Sequence, residues 1–453
     1  MINIQDMSVG IAFSGGGVPA AISAACAWNA IVETYPSIME PSNAEKVTVS
    51  TVSGGSIGYG LWVNARDRIQ FTPYHYNMTL EELQQDDAPK QTDMSMDALD
   101  YLFSSKTQTV TSCDADSKRT VGNIAADLFS PIFLKQAFTK EVGSCSHWWN
   151  CIIQGVFGLL CVEKISSGDL PWLTSFAVFD ESVMFERDSV TGTLLSSSAE
   201  YLHHMIVDMN SDDFGESQGQ DGCRDCTRDK MLPIDALSFS SSFWASNVLT
   251  NNMINLLFNN MLNKGSTSQF IQSDKTKESV AVVMDGGVID TTGIIGLLKQ
   301  QKDHIIVFYN NNVPLATLAS PISHLFGVNA ATDSMNSLKG PELTQVFPSA
   351  FYPAVIRNLT DPSVGMARLE DLTVVENQVG VEPYRLSSLV IISNGKLHSF
   401  EFKDTRVHDQ LNSKWPDQFS YGIPSLDANA LCALNDYKVK NMMKQHLSPD
   451  RFR

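Results

Sequence analysis

The stretch that decides the fold is residues 9–32, VGIAFSGGGVPAAISAACAWNAIV. Its five apolar residues Val9–Phe13 predict a buried strand, and the alanine-rich run Ala20–Val32 predicts a helix packed closely against a sheet. Between them, Ser14-Gly15-Gly16-Gly17 forms a turn whose bare backbone N–H groups can face an anion at the start of a helix. Strand, glycine turn and helix in this order are typical of an α/β protein with a mostly parallel sheet.

The same pattern recurs directly afterwards. Lys46–Thr51 is β-branched and predicts a second strand, and the turn Val52-Ser53-Gly54-Gly55-Ser56 follows it. The helix predicted over Gly54–Val63 contains several glycines, which are unfavourable in a helix unless another backbone must approach closely. Later elements are strands at Leu173–Phe179, Ser279–Met284 and His304–Tyr309, a helix at Thr292–Gln301, and a hairpin over Leu389–Phe402 about the Asn394-Gly395 turn.

These elements predict one α/β domain over residues 1–453, with a central mostly parallel sheet and helices on both faces. Residues 67–170 are predicted to form an inserted helical cap, because the strand and helix pattern loosens there. Residues 350–453 are predicted to complete the domain with the β-hairpin.

Composition narrows the function classes. The chain has 453 residues, of which 43% are hydrophobic and 18% are charged, so it can bury a large core and is not disordered. Its 32 Lys+Arg stand against 50 Asp+Glu, a formal net charge of −18. Nucleic-acid binding depends on clustered basic residues, and no such cluster occurs, so nucleic acid is not an expected partner.

Eight cysteines are spread thinly over the whole chain, and this spacing does not predict a disulfide framework. Residues 1–7, MINIQDM, lack the basic start and apolar core of a secretory signal. Together these features favour a reducing, cytoplasmic location. Cys223 and Cys226 have no second pair at zinc spacing, and we expect no metal or other cofactor in the chemistry.

The longest apolar run, residues 148–162, is shorter than the ~20 residues that a membrane-spanning helix needs. It is interpreted either as a buried core helix or as a cap segment that contacts lipid. In the second interpretation, Trp148, Trp149 and Phe157 are candidates for contact with a membrane or an acyl chain, and the protein is peripheral at membranes. The sequence leaves the oligomeric state open.

Two further turns have residues suited to acyl chemistry. Ser53 follows a strand and precedes a helix, the setting of a nucleophile elbow in which a serine stands on a sharp turn. Ser56 is a competing candidate, but it lies one turn into the helix. Asp285-Gly286-Gly287 ends another predicted strand, and its carboxylate is expected at the same sheet edge as Ser53.

The strings GIAFSGGGVPAA, STVSGGSIG and VMDGGVIDTTGIIGLL resemble the patatin and cytosolic phospholipase superfamily, which includes the phospholipase B-like lysophospholipases. The resemblance covers residues 8–64 and 236–310. It implies a patatin-like three-layer fold and a lipid acyl hydrolase that needs no histidine and acts on an acylated lipid substrate.

The resemblance also implies the roles of individual residues. Ser53 would attack the acyl carbonyl and Asp285 would serve as the base. The backbone N–H groups of four glycines would form the oxyanion hole, two further residues would shape the elbow, and two glycines would form the turn after the aspartate. These three sets are, in that order, Gly15, Gly16, Gly17 and Gly54; Val52 and Gly55; and Gly286 and Gly287.

Two positions depart from that pattern. Pro19 stands where many phospholipases of the superfamily have an arginine that meets substrate phosphate, and Thr51 stands where the elbow has its first glycine. Two alternatives therefore stay open. One is a catalytically weak or inactive protein of this fold that binds lipid or another protein. The other is an ordinary Ser-His-Asp esterase in which His304 or another histidine is the base.

Overall fold

The computed structural model describes residues 8–71, 78–84, 119–121, 124, 153, 157, 160, 162, 165–166, 168–180, 202–210, 233–241, 270–271, 280–310, 321–328, 344–360, 365–394, 404–407, 409 and 425–443. Most of the predicted cap at 67–170 lies outside these residues.

Within this part of the chain the strands are β1 Val9–Phe13, β2 Val47–Val52, β3 Ile69–Gln70, β4 Arg119–Thr120, β5 Trp172–Asp180, β6 Leu202–Asp208, β7 Phe270–Ile271, β8 Val280–Asp285, β9 His304–Tyr309, β10 Met366–Thr373 and β11 Arg385–Ser393. Nine of them form one sheet in the order β10-β11-β9-β1-β2-β5-β8-β7, and β6 pairs with β5. Strands β11, β9, β1, β2 and β5 are mutually parallel, as predicted for the centre of the sheet.

The helices are α1 Gly17–Thr34, α2 Pro41–Ala44, α3 Gly54–Ala65, α4 Leu80–Gln84, α5 Pro233–Ser240, α6 Ile294–Lys299, α7 Tyr352–Thr360 and α8 Ser425–Tyr437, which continues as a π-helical segment at Lys438–Met443. Short 3₁₀ turns lie at Pro36–Met39, Gly286–Val288, Pro321–Phe326 and Ser349–Phe351.

The sheet lies between two apolar cores because its buried strands point alternate side chains to opposite faces. In β1, Ile11 and Phe13 face the core covered by α1, α3 and α8, and Ala12 faces the core covered by α6 and α7. The result is a three-layer mixed α/β fold with helices on both faces, and the predicted fold class is confirmed.

Helices α1 and α3 approach each other at glycines. A Cβ added to Gly54 would collide with the carbonyl oxygen of Gly17, and one added to Gly58 would collide with that of Ala21. The predicted reason for glycines in this helix is therefore confirmed. The contact brings the first turns of both helices, and the ends of β1 and β2 before them, into one place.

The first half of the hairpin predicted over Leu389–Phe402 lies in strand β11. Strand β11 ends at Ser393, and it pairs in parallel with β9 on one side and antiparallel with β10 on the other. Both edges of β11 are thus occupied, one by β9 and the other by β10. The antiparallel pair in the C-terminal part is β10 with β11, and the second half of the predicted hairpin lies outside the described residues.

A disulfide joins Cys26 in α1 to Cys432 in α8, with their Cα atoms 5.1 Å apart. The spacing of the cysteines does not predict this pair, because the two positions are 406 residues apart in the chain. Disulfides persist in oxidising surroundings, so the cysteine pattern no longer favours a reducing compartment. None of the helices among the described residues is both long enough and apolar enough to cross a membrane.

Candidate active site

Ser53 occupies a strained turn between β2 and α3. Its backbone has φ 54° and ψ −127°, and only two other non-glycine residues among those described have a positive φ. Such a conformation is rare for a residue with a side chain and persists where the surroundings impose it. Here the carbonyl oxygen of Ser53 accepts the N–H of Ser56 at 3.0 Å, which begins α3.

The side chain of Ser53 points to Asp285. Its Oγ donates a hydrogen bond to Asp285 Oδ2 at 2.8 Å, although 231 residues separate the two positions in the chain. Asp285 Oδ1 accepts the N–H of Gly287 at 2.7 Å, so one carboxylate oxygen is held by its own turn and the other faces Ser53. Both side chains are sheltered: Ser53 is 8% exposed and Asp285 is 2% exposed.

The strands bring the pair together in a way that the sequence did not predict. Strand β2 runs parallel to β5 and ends with Val52 opposite Ser175, whereas β8 runs antiparallel to β5 and ends with Asp285 opposite Phe176. The two strands therefore lie end to end along the same side of β5, and their carboxyl ends meet. Ser53 and Asp285 meet here, although the strands that precede them run in opposite directions.

Buried hydroxyls hold the turn from below. The N–H of Ser53 donates to Ser240 Oγ at 3.0 Å, and Ser240 shares a hydrogen bond with Ser56 at 2.9 Å. Ser56 also donates to Thr51 at 2.9 Å and bonds Thr174 at 2.8 Å. Ser56 is fully buried in this network, which makes it a support of the turn and not a competing nucleophile.

Thr51 is accommodated by the same network. Its hydroxyl accepts the indole N–H of Trp172 at 2.8 Å and donates to the carbonyl oxygen of Leu173 at 3.3 Å. Every hydrogen-bonding position of this side chain is used, and Ser53 still adopts the elbow conformation. The missing first glycine therefore does not distort the turn.

The glycine loop after β1 passes directly beside Ser53. A Cβ added to Gly15 would lie 3.0 Å from Ser53 Cβ, and one added to Gly55 would lie 2.7 Å from the carbonyl oxygen of Ser14. Gly16 has φ 133°, which a residue with a side chain rarely adopts. The loop therefore requires glycine for both space and conformation.

The predicted oxyanion donors are corrected at one position. The N–H of Gly15 donates to the carbonyl oxygen of Thr291 at 2.8 Å and is not available to a substrate. Gly17 and Gly54 are the first residues of α1 and α3, where backbone N–H groups have no partner inside the helix. Gly16, Gly17 and Gly54 therefore remain as candidate donors.

Thr291 is placed by a buried carboxylate. Asp290 is 2% exposed and accepts hydrogen bonds from the N–H groups of Thr292, Gly293 and Ile295. Burial raises the pKa of Asp290, and these hydrogen bonds oppose the shift. Asp290 therefore shapes the loop after the aspartate turn, and Thr291 in this loop bonds the glycine loop. No short motif indicated this contact.

The described histidines do not support a Ser-His-Asp triad. Ser53 has no hydrogen bond to a histidine among the described residues. His304 begins β9, at the opposite edge of the sheet from Ser53, and its Nδ1 bonds Ser388 Oγ at 2.6 Å. Burial, with a smaller contribution from the charge of Lys299, lowers the pKa of His204 to about 3.

Of the three residues predicted to contact lipid, Trp148 and Trp149 lie outside the described residues. Phe157 is 1% exposed and packs near Gly60 of α3, within the core on that face of the sheet. Its burial favours the core-helix interpretation for this position. Pro19 is buried in the first turn of α1 and presents no charge to a phosphate.

No protein-family model matches this sequence, and no curated protein matches it. Among solved structures, human GIVD cytosolic phospholipase A2 is similar, with a TM-score of 0.44 and 11% sequence identity. The match covers 99% of this chain and 63% of the human chain, so this chain spans less than two thirds of the length of that protein. A likeness of this degree indicates nothing about chemistry.

Proposed function

We propose that this protein is a serine hydrolase that cleaves the carboxylic ester of an acylated lipid, with Ser53 as the nucleophile and Asp285 as the base. The observation that carries the proposal is the hydrogen bond of 2.8 Å from Ser53 Oγ to Asp285 Oδ2 on a strained turn. A serine hydroxyl becomes nucleophilic when a neighbouring group removes its proton, and Asp285 is placed for that transfer.

The reaction has two halves. Ser53 Oγ bonds to the carbonyl carbon while its proton passes to Asp285, and the N–H groups of Gly16, Gly17 and Gly54 stabilise the oxyanion. The carbon–alkoxide bond then breaks, and the alcohol leaves with the proton from Asp285. Water gives a proton to Asp285 and attacks the acyl-serine, which releases the carboxylic acid and restores the Ser53 hydroxyl.

The lipid character of the substrate rests on the resemblance of the three glycine-bearing motifs to the patatin and cytosolic phospholipase superfamily. The geometry of Ser53 bears on the alternative of an inactive protein of this fold. Thr51, which suggested decay in the sequence, has a fully bonded hydroxyl beneath an intact elbow. The hydrogen bonds of Thr51 therefore support an active enzyme over a weakened one.

The test compares Ser53→Ala with wild type in the release of fatty acid from labelled lysolipids, phospholipids and glycerides. A matched control is Ser23→Ala, which removes a buried hydroxyl in α1 that has no hydrogen-bond partner in the part of the chain that the structure describes. Loss of all turnover in the first variant and full turnover in the second is expected. Equal turnover of every substrate by Ser53→Ala and wild type would contradict the proposal.

A further inference from the structure

Asn310 is the first residue after β9, at the same sheet edge as Ser53. Strand β1 lies between β9 and β2, with Phe13 opposite both Phe308 and Thr51. Two residues after these paired positions, Asn310 and Ser53 lie on either side of the glycine loop. With strand spacing of about 4.8 Å, the Cα atoms of these two residues lie about 10 Å apart.

Two glycines of the loop face these residues: Gly15 faces Ser53 and Gly16 faces Asn310. A Cβ added to Gly15 would contact Ser53 at 3.0 Å, and a Cβ added to Gly16 would lie 3.5 Å from Asn310 Cβ. The backbone of Asn310 also holds the loop, because its N–H donates to Ser14 Oγ at 2.7 Å. Asn310 is thus attached to the loop that contains the proposed oxyanion donors.

The side chain of Asn310 is buried without a partner. The residue is 5% exposed, and neither Oδ1 nor Nδ2 has a hydrogen-bond partner among the described residues. A buried amide that makes no hydrogen bond is costly, and such groups in a native structure call for an explanation. The neighbouring polar groups at Ser53, Thr51 and Ser56 are all bonded.

We propose that Asn310 recognises a free hydroxyl on the alcohol part of the substrate, next to the ester that Ser53 attacks. The proposal rests on the proposed function and specifies its substrate class. A hydroxyl can accept a hydrogen bond from Nδ2 and donate one to Oδ1, so it satisfies both orphaned atoms. A phosphate or a second acyl ester can only accept, and Oδ1 would stay unpaired.

This chemistry orients the substrate across the glycine loop. The ester carbonyl lies at Ser53 and the alcohol part extends toward Asn310, since an amide is a poor neighbour for an acyl chain. Esters with one acyl chain and a free neighbouring hydroxyl, such as monoacylglycerols and lysolipids, fit this arrangement. Their counterparts without the hydroxyl leave a buried amide unpaired, which a site of this kind rejects strongly.

The first experiment compares two esters of one fatty acid, 1-oleoylglycerol and propyl oleate, in wild type and Asn310→Leu. Wild type is expected to prefer the glycerol ester in kcat/KM by about 10–100-fold. In Asn310→Leu that ratio is expected to fall to about 1, through loss on the glycerol ester alone. Equal preference in wild type, or an equal loss on both esters in the variant, would overturn the proposal.

Propyl oleate separates this proposal from the proposed function. Its hydrolysis by wild type, and the loss of that hydrolysis in Ser53→Ala, test the hydrolase without involving Asn310. If propyl oleate is cleaved and the ratio of the two esters is 1, Asn310 recognition is wrong and the hydrolase stands. If wild type cleaves neither ester but hydrolyses a phospholipid, this specificity is wrong and the hydrolase stands. If wild type hydrolyses no lipid ester at all, the proposed function fails as well.

A second measurement does not depend on activity. Because the Asn310 amide has no described partner, Asn310→Leu is expected to raise the thermal unfolding temperature or leave it unchanged. The matched control is Asn435→Leu, which removes a buried amide whose Nδ2 donates to Leu431 O and whose Oδ1 accepts from Asn394. The control is expected to lower the unfolding temperature. A loss in Asn310→Leu as large as in the control would show a structural role and overturn the proposal.

Discussion

Two sites along the same edge of the sheet differ in how their buried polar groups are hydrogen-bonded. At the junction of β2 and β8, Ser53 and Asp285 are hydrogen-bonded to each other and to supporting groups. At the end of β9, two strands away, the Asn310 amide is equally buried and has no partner among the described residues. The polar groups of the junction satisfy one another, whereas the amide at the end of β9 would be satisfied by a ligand.

The largest effect is expected from breaking the junction. Asp285→Asn keeps the shape of the side chain and removes the proposed base, so ester turnover is expected to fall by about 10³-fold. The measurement is the initial rate of fatty-acid release. Asp208→Asn, at the exposed end of β6, changes a carboxylate away from Ser53 and is expected to retain the wild-type rate. Comparable losses in both variants would contradict the role of Asp285.

Removing the disulfide shows whether the junction and the end of β9 depend on the packing of α8 against α1. It ties α1 to α8, and Lys438, just after α8, donates to Asn394, whose N–H donates to Tyr309 O beside Asn310. The double variant Cys26→Ala/Cys432→Ala is expected to lose about 2–4 kcal/mol in the free energy of unfolding, because its unfolded chain is less constrained.

Denaturant titration measures this loss, and wild type under a reducing agent is the control, with an expected midpoint equal to that of the double variant. Turnover of propyl oleate is expected to be retained under native conditions, since neither cysteine contacts Ser53. An unchanged midpoint would show that the disulfide does not stabilise the fold.

A smaller effect is expected from the hydroxyl that positions Ser53 within the junction. Ser240→Ala removes the acceptor of the Ser53 N–H and is expected to cost about 1 kcal/mol in positioning, which is a loss of about 5-fold in kcat. Ser238→Ala is the matched control in the same helix, because that hydroxyl donates to Ile234 O four residues earlier. Equal kcat values in the two variants would remove the positioning role of Ser240.

A last effect, outside the two sites compared above, is the acid sensitivity of β6, which pairs with β5 on the side away from the junction. His204 is neutral in the folded protein because its pKa is lowered to about 3, whereas in the unfolded chain it takes up a proton below about pH 6.5. Its contribution to stability is therefore lost as the pH falls from 6.5 toward 3. His204→Leu is expected to flatten the fall of unfolding free energy over this range, and an unchanged slope would contradict it.

The sequence predicted the parts of the fold that depend on local pattern. Strands β1 and β9 have the predicted bounds, because each is a mostly apolar run that ends directly before a polar residue, Ser14 or Asn310. Strand β6 was missed because two histidines interrupt its apolar pattern. Strand β10 was missed because it lies at the sheet edge, where its exposed side includes charged residues.

For the candidate site, too, the sequence predicted only the features that depend on local pattern. The motifs predicted that Ser53 and Asp285 meet, but the end-to-end placement of β2 and β8 depends on long-range pairing with β5 that no short motif encodes. The predicted Gly15 donor is wrong because Thr291 O occupies its N–H. Ser240 lies in a serine-rich segment, and only the packing of α5 shows which of these serines bonds the backbone of Ser53.

Covalent labelling by a fluorophosphonate probe shows whether Asp285 activates Ser53 without a histidine. After labelling, peptide mass spectrometry identifies the modified residue and time courses give the rate. The adduct is expected on Ser53 in wild type, with labelling slowed by about 10³-fold in Asp285→Asn. Absence of an adduct on Ser53 in wild type, or an unchanged rate in Asp285→Asn, would contradict the claim.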